Sequence, residues 1–362
     1  YTVNVVAGQT QTGKDFGNRQ LGGLGGSKFH DLDGDGYWEI GELAMPGWEI
    51  VLKDDQGQVI ATTTTDSQGK YAFSGLGLGD YEVCETGQPG WVQTRPDDPV
   101  CYRVTLNTPG QVISKLNFGN FEEVSVTVCK QEDADGSTGT SVDRTDVAGW
   151  TVYMRTNGVT DSQNPASTGE DGCYTWDHLG PNPGGTYGVA EDVSPGWSPL
   201  AGTDTTHDFG EPQSGQDYSW TFLNYQDGSI TACKWNDLTG DGLSNDDTPI
   251  QGWALYLDSD SMKQTDSQGC VTWSGLAPGQ YEVSEETRSG WTATSQTSIQ
   301  VMVESGDSKT VNFTNSEQTV VTGGKFADLD GDGSWGNGEP GLEGWTIYLC
   351  PQPEMGDDNV EV

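Results

Sequence analysis

Short segments in which apolar and polar residues alternate recur along the chain and predict β-strands. Trp48, Ile50 and Leu52 occupy every second position of one such segment, and Ser27–His30 and Tyr81–Val83 show a similar pattern. A period of two residues is that of a half-buried strand, because successive side chains point to opposite faces of a sheet. An all-β fold is therefore predicted.

Two Asp- and Gly-rich loops lie beside these segments, at Asp31–Glu42 and Asp328–Glu339. We call them the first and the fourth acidic loop, because they belong to the first and the fourth of the sequence repeats described below. Both match the twelve-residue calcium loop, in which oxygens at positions 1, 3, 5, 7, 9 and 12 bind the ion and a Gly at 6 makes the turn. Their flanks are strand-like, so an EF-hand is not expected. The predicted ligands are Asp31, Asp33, Asp35, Tyr37, Glu39 and Glu42 in the first loop and Asp328, Asp330, Asp332, Ser334 and Glu339 in the fourth.

Charge crowding favours a bound cation in these two loops. Carboxylates a few ångströms apart repel one another by roughly 1 kcal/mol per pair in water, unless a cation lies between them. The alternative is a metal-free surface turn rich in Asp and Gly. Calcium is the one cofactor that the sequence predicts.

Two further loops depart from the calcium pattern. The third acidic loop has Thr248 where the bidentate Glu is expected, so weaker binding is predicted there unless Asp246 or Asp247 substitutes. Its predicted ligands are Asp237, Thr239, Asp241 and Leu243. Between these loops, an acidic segment appears out of register with the motif, and the sequence does not favour a metal there; its residues are Glu132, Asp133, Asp135 and Asp143.

Internal repeats divide the chain into units of immunoglobulin-domain size. The Gly-Trp pair that follows each acidic segment recurs at Trp48, Trp150, Trp253 and Trp345, and three units close on a Phe-x-Asn signature. The predicted units are 25–121, 122–227 and 228–318, flanked by partial units 1–24 and 319–362. Connections between units are very short, and only Leu21–Gly26 (LGGLGG) is expected to be a flexible linker.

The flanking segments resemble pieces of a repeat. Residues 1–20 are similar to residues 102–121, so 1–24 is interpreted as the closing hairpin of a preceding repeat, or a donor segment, followed by a linker. Residues 319–362 are interpreted as the opening half of a further repeat, with a strand at Trp345–Leu349. Either the chain is a window of a longer periodic polypeptide, or its end segments complement each other between molecules by β-strand addition. Both alternatives imply head-to-tail contact with copies or adjoining repeats.

The composition narrows the classes of partner. The net charge of −39 disfavours nucleic acid and anionic membranes, since both carry negative charge themselves. No run of roughly 18 apolar residues predicts a membrane-spanning helix. No Ser/His/Asp set, phosphate loop or zinc signature predicts an enzyme. Glycans remain candidate partners through the sequon at Asn312, whereas the repeated Trp residues are expected to be core rather than sugar-stacking platforms.

The cysteines fall at equivalent positions of the repeats. Cys129 and Cys233 each precede a Lys at the start of a unit, and Cys173 and Cys270 each follow a Gly turn. With Cys84 and Cys101, which bracket a hairpin, this predicts three disulfides and leaves Cys350 over. The absence of Cys-x-x-Cys spacing argues against a zinc or redox site and predicts an oxidising, extracellular location.

A family resemblance is carried by GGSKFHDLDGDG, GELAMPGWEIVLKD, TTTTDSQGKYAFSGLGLGDYEVCE, GWVQTRP and NFGN. Together these segments resemble the SdrD B-like repeat, a calcium-loaded β-sandwich related to the Cna B (prealbumin-like) stalk domains of bacterial or archaeal surface proteins. The resemblance is close in the first, third and fourth units and looser in the second. It implies tandem immunoglobulin-like or prealbumin-like β-sandwich repeats that form an extracellular, calcium-stiffened rod.

The same resemblance points to a second constellation. Cna B-type stalk domains use Lys, Glu and Asn in similar places to form an intramolecular isopeptide bond, which requires a buried neutral Lys, a protonated carboxyl group and close approach. The alternative is an ordinary Lys–Glu ion pair with an Asn that caps a turn. The candidate residues are Lys28, Glu85 and Asn120; Lys130, Glu191 and Asn224; and Lys234, Glu285 and Asn315.

These observations predict an extracellular structural protein rather than an enzyme: a filament, fibril or surface stalk, continuous or assembled head-to-tail. The alternative is the spacer region of a cell-surface adhesin whose ligand-binding domain lies outside this sequence. A hydrolase with appended repeats would need a catalytic domain that this sequence does not contain.

Overall fold

The computed structural model describes residues 2–349 as β-strands joined by turns and irregular segments. Among these residues no helix is long and apolar enough to cross a membrane. One compact unit holds residues 2–231 with Thr272–Val283 and Ile299–Val311, and the other holds Ala232–Val271, Ser284–Ser298 and residues 312–349. The predicted all-β, tandem β-sandwich fold is confirmed.

The first module, Gly22–Glu122, is a pair of sheets. One sheet has the order β4-β1-β9-β6 with β8 beside β1, and the other has the order β3-β2-β5-β7. The strands are β1 (Gly22–His30), β2 (Glu49–Asp54), β3 (Val59–Thr64), β4 (Lys70–Leu76), β5 (Gly79–Glu85), β6 (Trp91–Arg95), β7 (Cys101–Leu106), β8 (Val112–Ile113) and β9 (Phe118–Glu122).

The second module, Val124–Gln226, repeats this plan. Its sheets have the orders β11-β10-β19-β17, with β15 beside β10, and β13-β12-β16-β18, with β14 beside β12. The strands are β10 (Val124–Asp133), β11 (Arg144–Asp146), β12 (Thr151–Thr156), β13 (Val159–Thr160), β14 (Ala166–Ser167), β15 (Cys173–Leu179), β16 (Tyr187–Glu191), β17 (Trp197–Pro199), β18 (Thr206–Gly210) and β19 (Tyr218–Gln226).

The third module, Gly228–Glu317, has sheets of order β21-β20-β28-β26, with β24 beside β20, and β23-β22-β25-β27. The strands are β20 (Gly228–Asn236), β21 (Thr248–Pro249), β22 (Ala254–Leu257), β23 (Ser261–Gln264), β24 (Cys270–Leu276), β25 (Gly279–Glu285), β26 (Trp291–Ala293), β27 (Ser298–Val303) and β28 (Ser308–Glu317).

The opening strand of each of the first two modules pairs in parallel with the closing strand. Lys28 of β1 stands opposite Phe118 of β9, and Lys130 of β10 stands opposite Phe222 of β19. Because side chains alternate between faces, the Asn two residues beyond each Phe shares a face with that Lys. The topology therefore brings together residues from the two ends of a module.

Three of the four repeated Trp residues form core, as predicted, whereas the fourth, Trp345, is 63% exposed. Trp48, Trp150 and Trp253 are at most 4% exposed. The second Trp of the first module, Trp91, meets Trp48 edge-to-face at 5.6 Å, and Trp197 meets Trp150 in the same way at 5.1 Å. Burial of such large side chains is a main source of stability for modules of this size.

The structure contains the three predicted disulfides: Cys84–Cys101, Cys129–Cys173 and Cys233–Cys270. The first does not bracket a single hairpin, because β6 lies between the paired strands β5 and β7 in the chain but belongs to the other sheet. The leftover Cys350 lies outside the described residues.

The predicted linker LGGLGG is instead part of β1, and its glycines have a packing reason. A Cβ on Gly22 would lie 2.5 Å from the Gln111 carbonyl oxygen, and one on Gly26 would lie 2.0 Å from that of Leu116. Leu24 between them is buried in the core of the first module. The glycines therefore permit close backbone approach rather than flexibility.

Neither flanking segment forms the predicted strands within the described residues. Residues 2–21 contain no strand, although the Gln20 carbonyl accepts a hydrogen bond from the Gly110 amide at 3.1 Å. Trp345–Leu349 is also not a strand, and the one β-bridge described within residues 319–349 joins Phe326 and Gly341. A strand requires a continuous ladder with a neighbouring strand, and the described residues form no such ladder with either segment.

Candidate metal centres and module junctions

The first acidic loop brings three of its predicted ligands together. Oxygens of Asp31, Asp33 and Glu42 lie within 4.8 Å of one another. Asp31 is fully buried, and burial raises the pKa of Glu42 while the neighbouring Asp31 and Asp33 raise it further. A partly buried set of carboxylate oxygens fits calcium, which binds oxygen ligands at 2.3–2.6 Å.

The backbone of this loop wraps around the Asp31 carboxylate. The Gly34 amide donates to Oδ1 at 2.7 Å and the Gly36 amide donates to Oδ2 at 2.8 Å. Both glycines adopt positive φ angles of 75° and 80°, which residues with a Cβ rarely adopt. These bonds explain why the motif has Gly at both positions.

The remaining predicted ligands lie outside the three-carboxylate cluster. Asp35 accepts a hydrogen bond from the Tyr37 amide at 2.7 Å, and the Glu39 amide donates to Glu42 at 2.9 Å. Tyr37 and Glu39 are exposed. Their assignment as calcium ligands stays a prediction.

Trp38, which is not part of the calcium motif, connects the loop to β1 and to its own last residue. Trp38 stacks on Phe29 of β1 with ring centroids 5.5 Å apart, and its indole N–H donates to the Glu42 carbonyl at 3.2 Å. The recurrence of a Trp at position 8 of both complete loops was the available signal for this residue.

The fourth acidic loop has the same local structure. Oxygens of Asp328, Asp330 and Glu339 lie within 4.8 Å of one another, and Trp335 stacks on Phe326 at 5.5 Å. The Leu329 amide donates to Glu339 at 2.8 Å, just as the Leu32 amide donates to Glu42 at 2.8 Å. Asp332, which accepts from the Ser334 amide at 2.7 Å, lies outside the cluster.

The third acidic loop keeps the turn but not the cluster. The Gly240 and Gly242 amides donate to Asp237 at 2.6 and 2.9 Å. No set of three ligand atoms of the His, Cys, Asp or Glu type converges here among residues 2–349. Asp247 accepts a hydrogen bond from the Ser244 amide at 2.9 Å, so it is engaged within the loop.

The acidic segment of the second module is in register with the calcium motif, contrary to the sequence interpretation. Asp133 follows Lys130 by three residues, as Asp31 follows Lys28, and Asp133 pairs with Arg144 across β10 and β11. We call Asp133–Arg144 the second acidic loop. Sequence comparison missed the register because Arg stands at position 12 and Gly is absent from position 6.

Each of the first two loops also contacts the following module. The Leu32 carbonyl, at position 2 of the first loop, accepts a hydrogen bond from the Ser214 amide at 2.8 Å. Ser214 Oγ lies 2.7 Å from His30 Nε2 and accepts from the Glu122 amide at 2.6 Å. The Gly215 amide donates to the Glu122 carbonyl at 3.0 Å.

The second loop makes equivalent contacts with the third module. The Ala134 carbonyl, again at position 2, accepts from the Ser305 amide at 2.9 Å. Ser305 Oγ bonds to Glu132 at 2.6 Å and accepts from the Gln226 amide at 2.7 Å. We call Ser214-Gly215 and Ser305-Gly306 the docking turns.

A Gly–Pro contact accompanies each docking turn. A Cβ on Gly34 would lie 2.1 Å from Cβ of Pro181, and one on Gly136 would lie 3.1 Å from Cβ of Pro278. Single residues, Glu123 and Asp227, connect the modules, in agreement with the predicted short connections. The acidic loops are thus part of two matching module junctions.

The Lys and Glu of each module form an ion pair in its interior, and the Asn is buried as well. We call the Lys, Glu and Asn of a module its triad. The Lys Nζ to Glu Oε2 distance is 3.4 Å for Lys28–Glu85, 2.9 Å for Lys130–Glu191 and 2.7 Å for Lys234–Glu285, and all six side chains are at most 1% exposed. The amine of each Lys also lies over the ring of the buried Trp, at 4.5–4.8 Å from its centre.

Burial changes the proton affinities of this triad. It lowers the pKa of Lys28 and of Lys130 to about 8, and the partner carboxylate opposes each shift. It lowers the pKa of Lys234 and raises the pKa of Glu85 and Glu285. The side-chain oxygens of Asn120, Asn224 and Asn315 are buried and make no hydrogen bond within the described residues.

Comparisons with known families agree with this architecture. Residues 22–107 match the SdrD B-like domain and residues 241–317 match the SpaA prealbumin-like fold domain. Serine-aspartate repeat-containing protein D of Staphylococcus aureus (strain Newman) is 26% identical over 332 residues, which cover 80% of this chain and 24% of that protein. The chain therefore spans about a quarter of the length of this relative.

One further relative matches only a short segment of the chain, and one solved structure aligns at low sequence identity. A fibrinogen-binding protein of Staphylococcus epidermidis is 39% identical over 74 residues, or 20% of this chain and 7% of that protein. The crystal structure of BcpA, the major pilin subunit of Bacillus cereus, aligns with a TM-score of 0.38 at 13% identity, covering 83% of this chain and 100% of that chain.

Proposed function

The chain carries SdrD B-like and prealbumin-like domains, and from that premise we propose that it is a calcium-stiffened structural segment of an extracellular filament or surface stalk. The observation that carries this proposal is the double role of the first acidic loop. Its Asp31, Asp33 and Glu42 form the carboxylate cluster, and its Leu32 carbonyl binds the docking turn of the next module.

Charge explains why a cation would stiffen the junction. Calcium, when bound, would offset the repulsion between the clustered carboxylates. The loop residues then keep the Leu32 carbonyl and the Gly34 backbone in place against Ser214 and Pro181. Without a cation, repulsion favours an opened loop and a mobile junction.

Small-angle X-ray scattering of the full chain in calcium and in a chelator tests this proposal. Chelation is expected to broaden the distribution of intramolecular distances, and added calcium is expected to reverse the change. An Asp31→Asn/Asp237→Asn/Asp328→Asn chain serves as the control and should not respond to calcium. Identical scattering of the unmodified chain under both conditions would contradict the proposal.

We further propose that each triad forms a Lys–Asn isopeptide bond. The neutral Lys amine attacks the Asn carboxamide carbon, a new C–N bond forms, the C–NH2 bond breaks, and the proton lost by the amine leaves with the amide nitrogen as ammonia. The buried Glu, whose pKa is raised by burial in the first and third modules, would transfer the proton. The buried and unpaired Asn oxygens support this reaction.

Intact mass spectrometry of the reduced and denatured chain tests the bonds. The expected mass is lower than the sequence mass by one ammonia for each bond, three in all. Asn120→Ala, Asn224→Ala and Asn315→Ala should each restore one. A mass equal to that of the reduced sequence would show that the triads are ion pairs only.

The spacer of an adhesin is the second candidate function. It is favoured by the match to only 24% of the serine-aspartate repeat protein's length, which leaves room for other domains in such a protein. Negative-stain imaging discriminates the two: long uniform fibres from the purified chain favour a filament, and isolated short particles favour a spacer. The three disulfides suit the extracellular location in either case.

A further inference from the structure

Position 12 distinguishes the second acidic loop from the first. The first loop has Glu42 there, which accepts hydrogen bonds from the Leu32 and Glu39 amides, and the second has Arg144. Position 5 is Asp35 in the first loop and Ser137 in the second. Positions 1, 3, 5 and 12 therefore carry four negative charges in the first loop and a net single negative charge in the second.

The Arg144 side chain lies on the residue at position 1. Its Nε donates to Asp133 Oδ2 at 3.0 Å, and its Nη2 donates to the Thr138 carbonyl at 3.2 Å. Asp133 is fully buried, and the Arg144 side chain is 18% exposed. The other Asp133 oxygen accepts from the Ser137 amide at 3.0 Å, so both oxygens have partners.

We propose that the guanidinium of Arg144 is a built-in cation that replaces calcium in the second acidic loop. Arg is charged at every physiological pH, so this charge cannot be removed by chelation or dilution. It compensates the buried Asp133 carboxylate, which would otherwise be costly to bury. The second junction is therefore held independently of calcium, while the first depends on it.

The preserved junction supports this assignment. The Ala134 carbonyl binds Ser305 in the same way as the Leu32 carbonyl binds Ser214, and Gly136 contacts Pro278 as Gly34 contacts Pro181. The loop thus keeps its docking geometry although its position-12 carboxylate is replaced by a positive charge. A rival account is calcium held by Asp133, Asp135 and Asp143, whose oxygens lie within 4.8 Å of one another.

Equilibrium dialysis of calcium against the full chain separates the two accounts. In a chain whose other loops are silenced by Asp31→Asn, Asp237→Asn and Asp328→Asn, we expect no bound calcium. Adding Arg144→Glu should create binding of one calcium per chain, and the matched Arg144→Gln should not. Calcium binding by the silenced chain that is lost on Asp143→Asn would overturn the proposal, as would an Arg144→Glu variant that binds none.

Hydrogen exchange of the Ser305 amide tests the role of Arg144 in the absence of calcium. In chelator, Arg144→Gln should accelerate hydrogen exchange of the Ser305 amide by roughly tenfold or more, the equivalent of a lost charge-assisted hydrogen bond, and calcium should not restore it. Unchanged exchange would overturn the proposal. The inference deepens the proposed function but fails separately: an unmodified chain that binds no calcium refutes calcium stiffening, whereas the Ser305 exchange still tests Arg144.

Discussion

The first and second acidic loops dock the next module through the same atoms but differ in the charge at their centre. In both, the carbonyl at position 2 accepts a hydrogen bond from a Ser amide, at 2.8 and 2.9 Å. The residue at position 12 is Glu42 in the first loop and Arg144 in the second. The shared feature is therefore the junction, and what varies is the charge of the residue at position 12.

If Arg144 replaces calcium as proposed, an acidic loop need not be a metal site in every repeat. If calcium controls the first junction and Arg144 the second, one chain combines a junction that responds to its medium with one that does not. Loss of calcium would then bend the chain at defined places while each module stays folded through its disulfide and core.

The largest expected effect on the stability of either module comes from removing its disulfide. Cys129 and Cys173 are separated by 44 residues, and Cys84 and Cys101 by 17. Chain-entropy considerations predict that Cys→Ser replacement of both partners lowers the unfolding free energy by about 4 kcal/mol in the second module and about 3 kcal/mol in the first. Urea titration with module-resolved hydrogen exchange measures both values. A larger loss in the first module would contradict the entropic ranking.

The pH dependence of stability between about pH 8 and 10.5 tests the lowered pKa of Lys130 in the second module. In Asn224→Ala, which cannot form the proposed isopeptide, Lys130 has a folded pKa of about 8 against 10.5 unfolded. The unfolded state binds more protons between these values, so the unfolding free energy should rise with pH across this window, by about 3 kcal/mol at most. A matched Lys130→Met/Asn224→Ala chain should lack the rise. If both chains respond alike, Lys130 is not the titrating group.

Calcium should stabilise the first module and leave the second unchanged. At calcium one hundred times the dissociation constant, binding to the folded state alone contributes about 2.7 kcal/mol. Module-resolved unfolding in calcium and in chelator should show this shift for residues 22–122 and not for residues 124–226. Glu42→Gln should abolish most of it, since it removes the bidentate ligand. Equal changes in the unfolding free energy of both modules would contradict the proposed difference between Glu42 and Arg144.

The smallest effect is expected at the docking turns. Ser214→Ala and Ser305→Ala each remove a hydroxyl with two partners, so each should weaken its junction by about 1 kcal/mol. Amide exchange at Gly215 and Gly306 reports the two junctions, and Ser74→Ala on the exposed face of β4 is the control. An effect at one junction only would show that the two docking turns are not equivalent.

Sequence patterns predicted the fold and the three disulfides, and offered the Lys–Glu ion pairs as one alternative, because these features follow from positions that recur in each repeat. The buried triads could be inferred because Lys and Asn recur on the opening and closing strands. The burial of Lys28 beneath Trp48 could not, since it depends on how two sheets close over the amine.

The errors have physical causes. LGGLGG resembles a linker by composition, but its glycines are required by the Leu116 and Gln111 carbonyls that approach from distant parts of the chain. The register of Asp133 was missed because Arg144 reverses the charge expected at position 12. The docking turns could not be predicted from the sequence, because the role of a Ser-Gly pair depends on the loop that it contacts in the folded protein.

Hydrogen exchange at two single amides tests the central claim most directly. The Ser214 amide donates to the first acidic loop and the Ser305 amide donates to the second, in one molecule under identical conditions. Chelation of calcium is predicted to accelerate exchange at Ser214 and to leave Ser305 unchanged. Equal acceleration at both amides, or protection of both in chelator, would contradict the account.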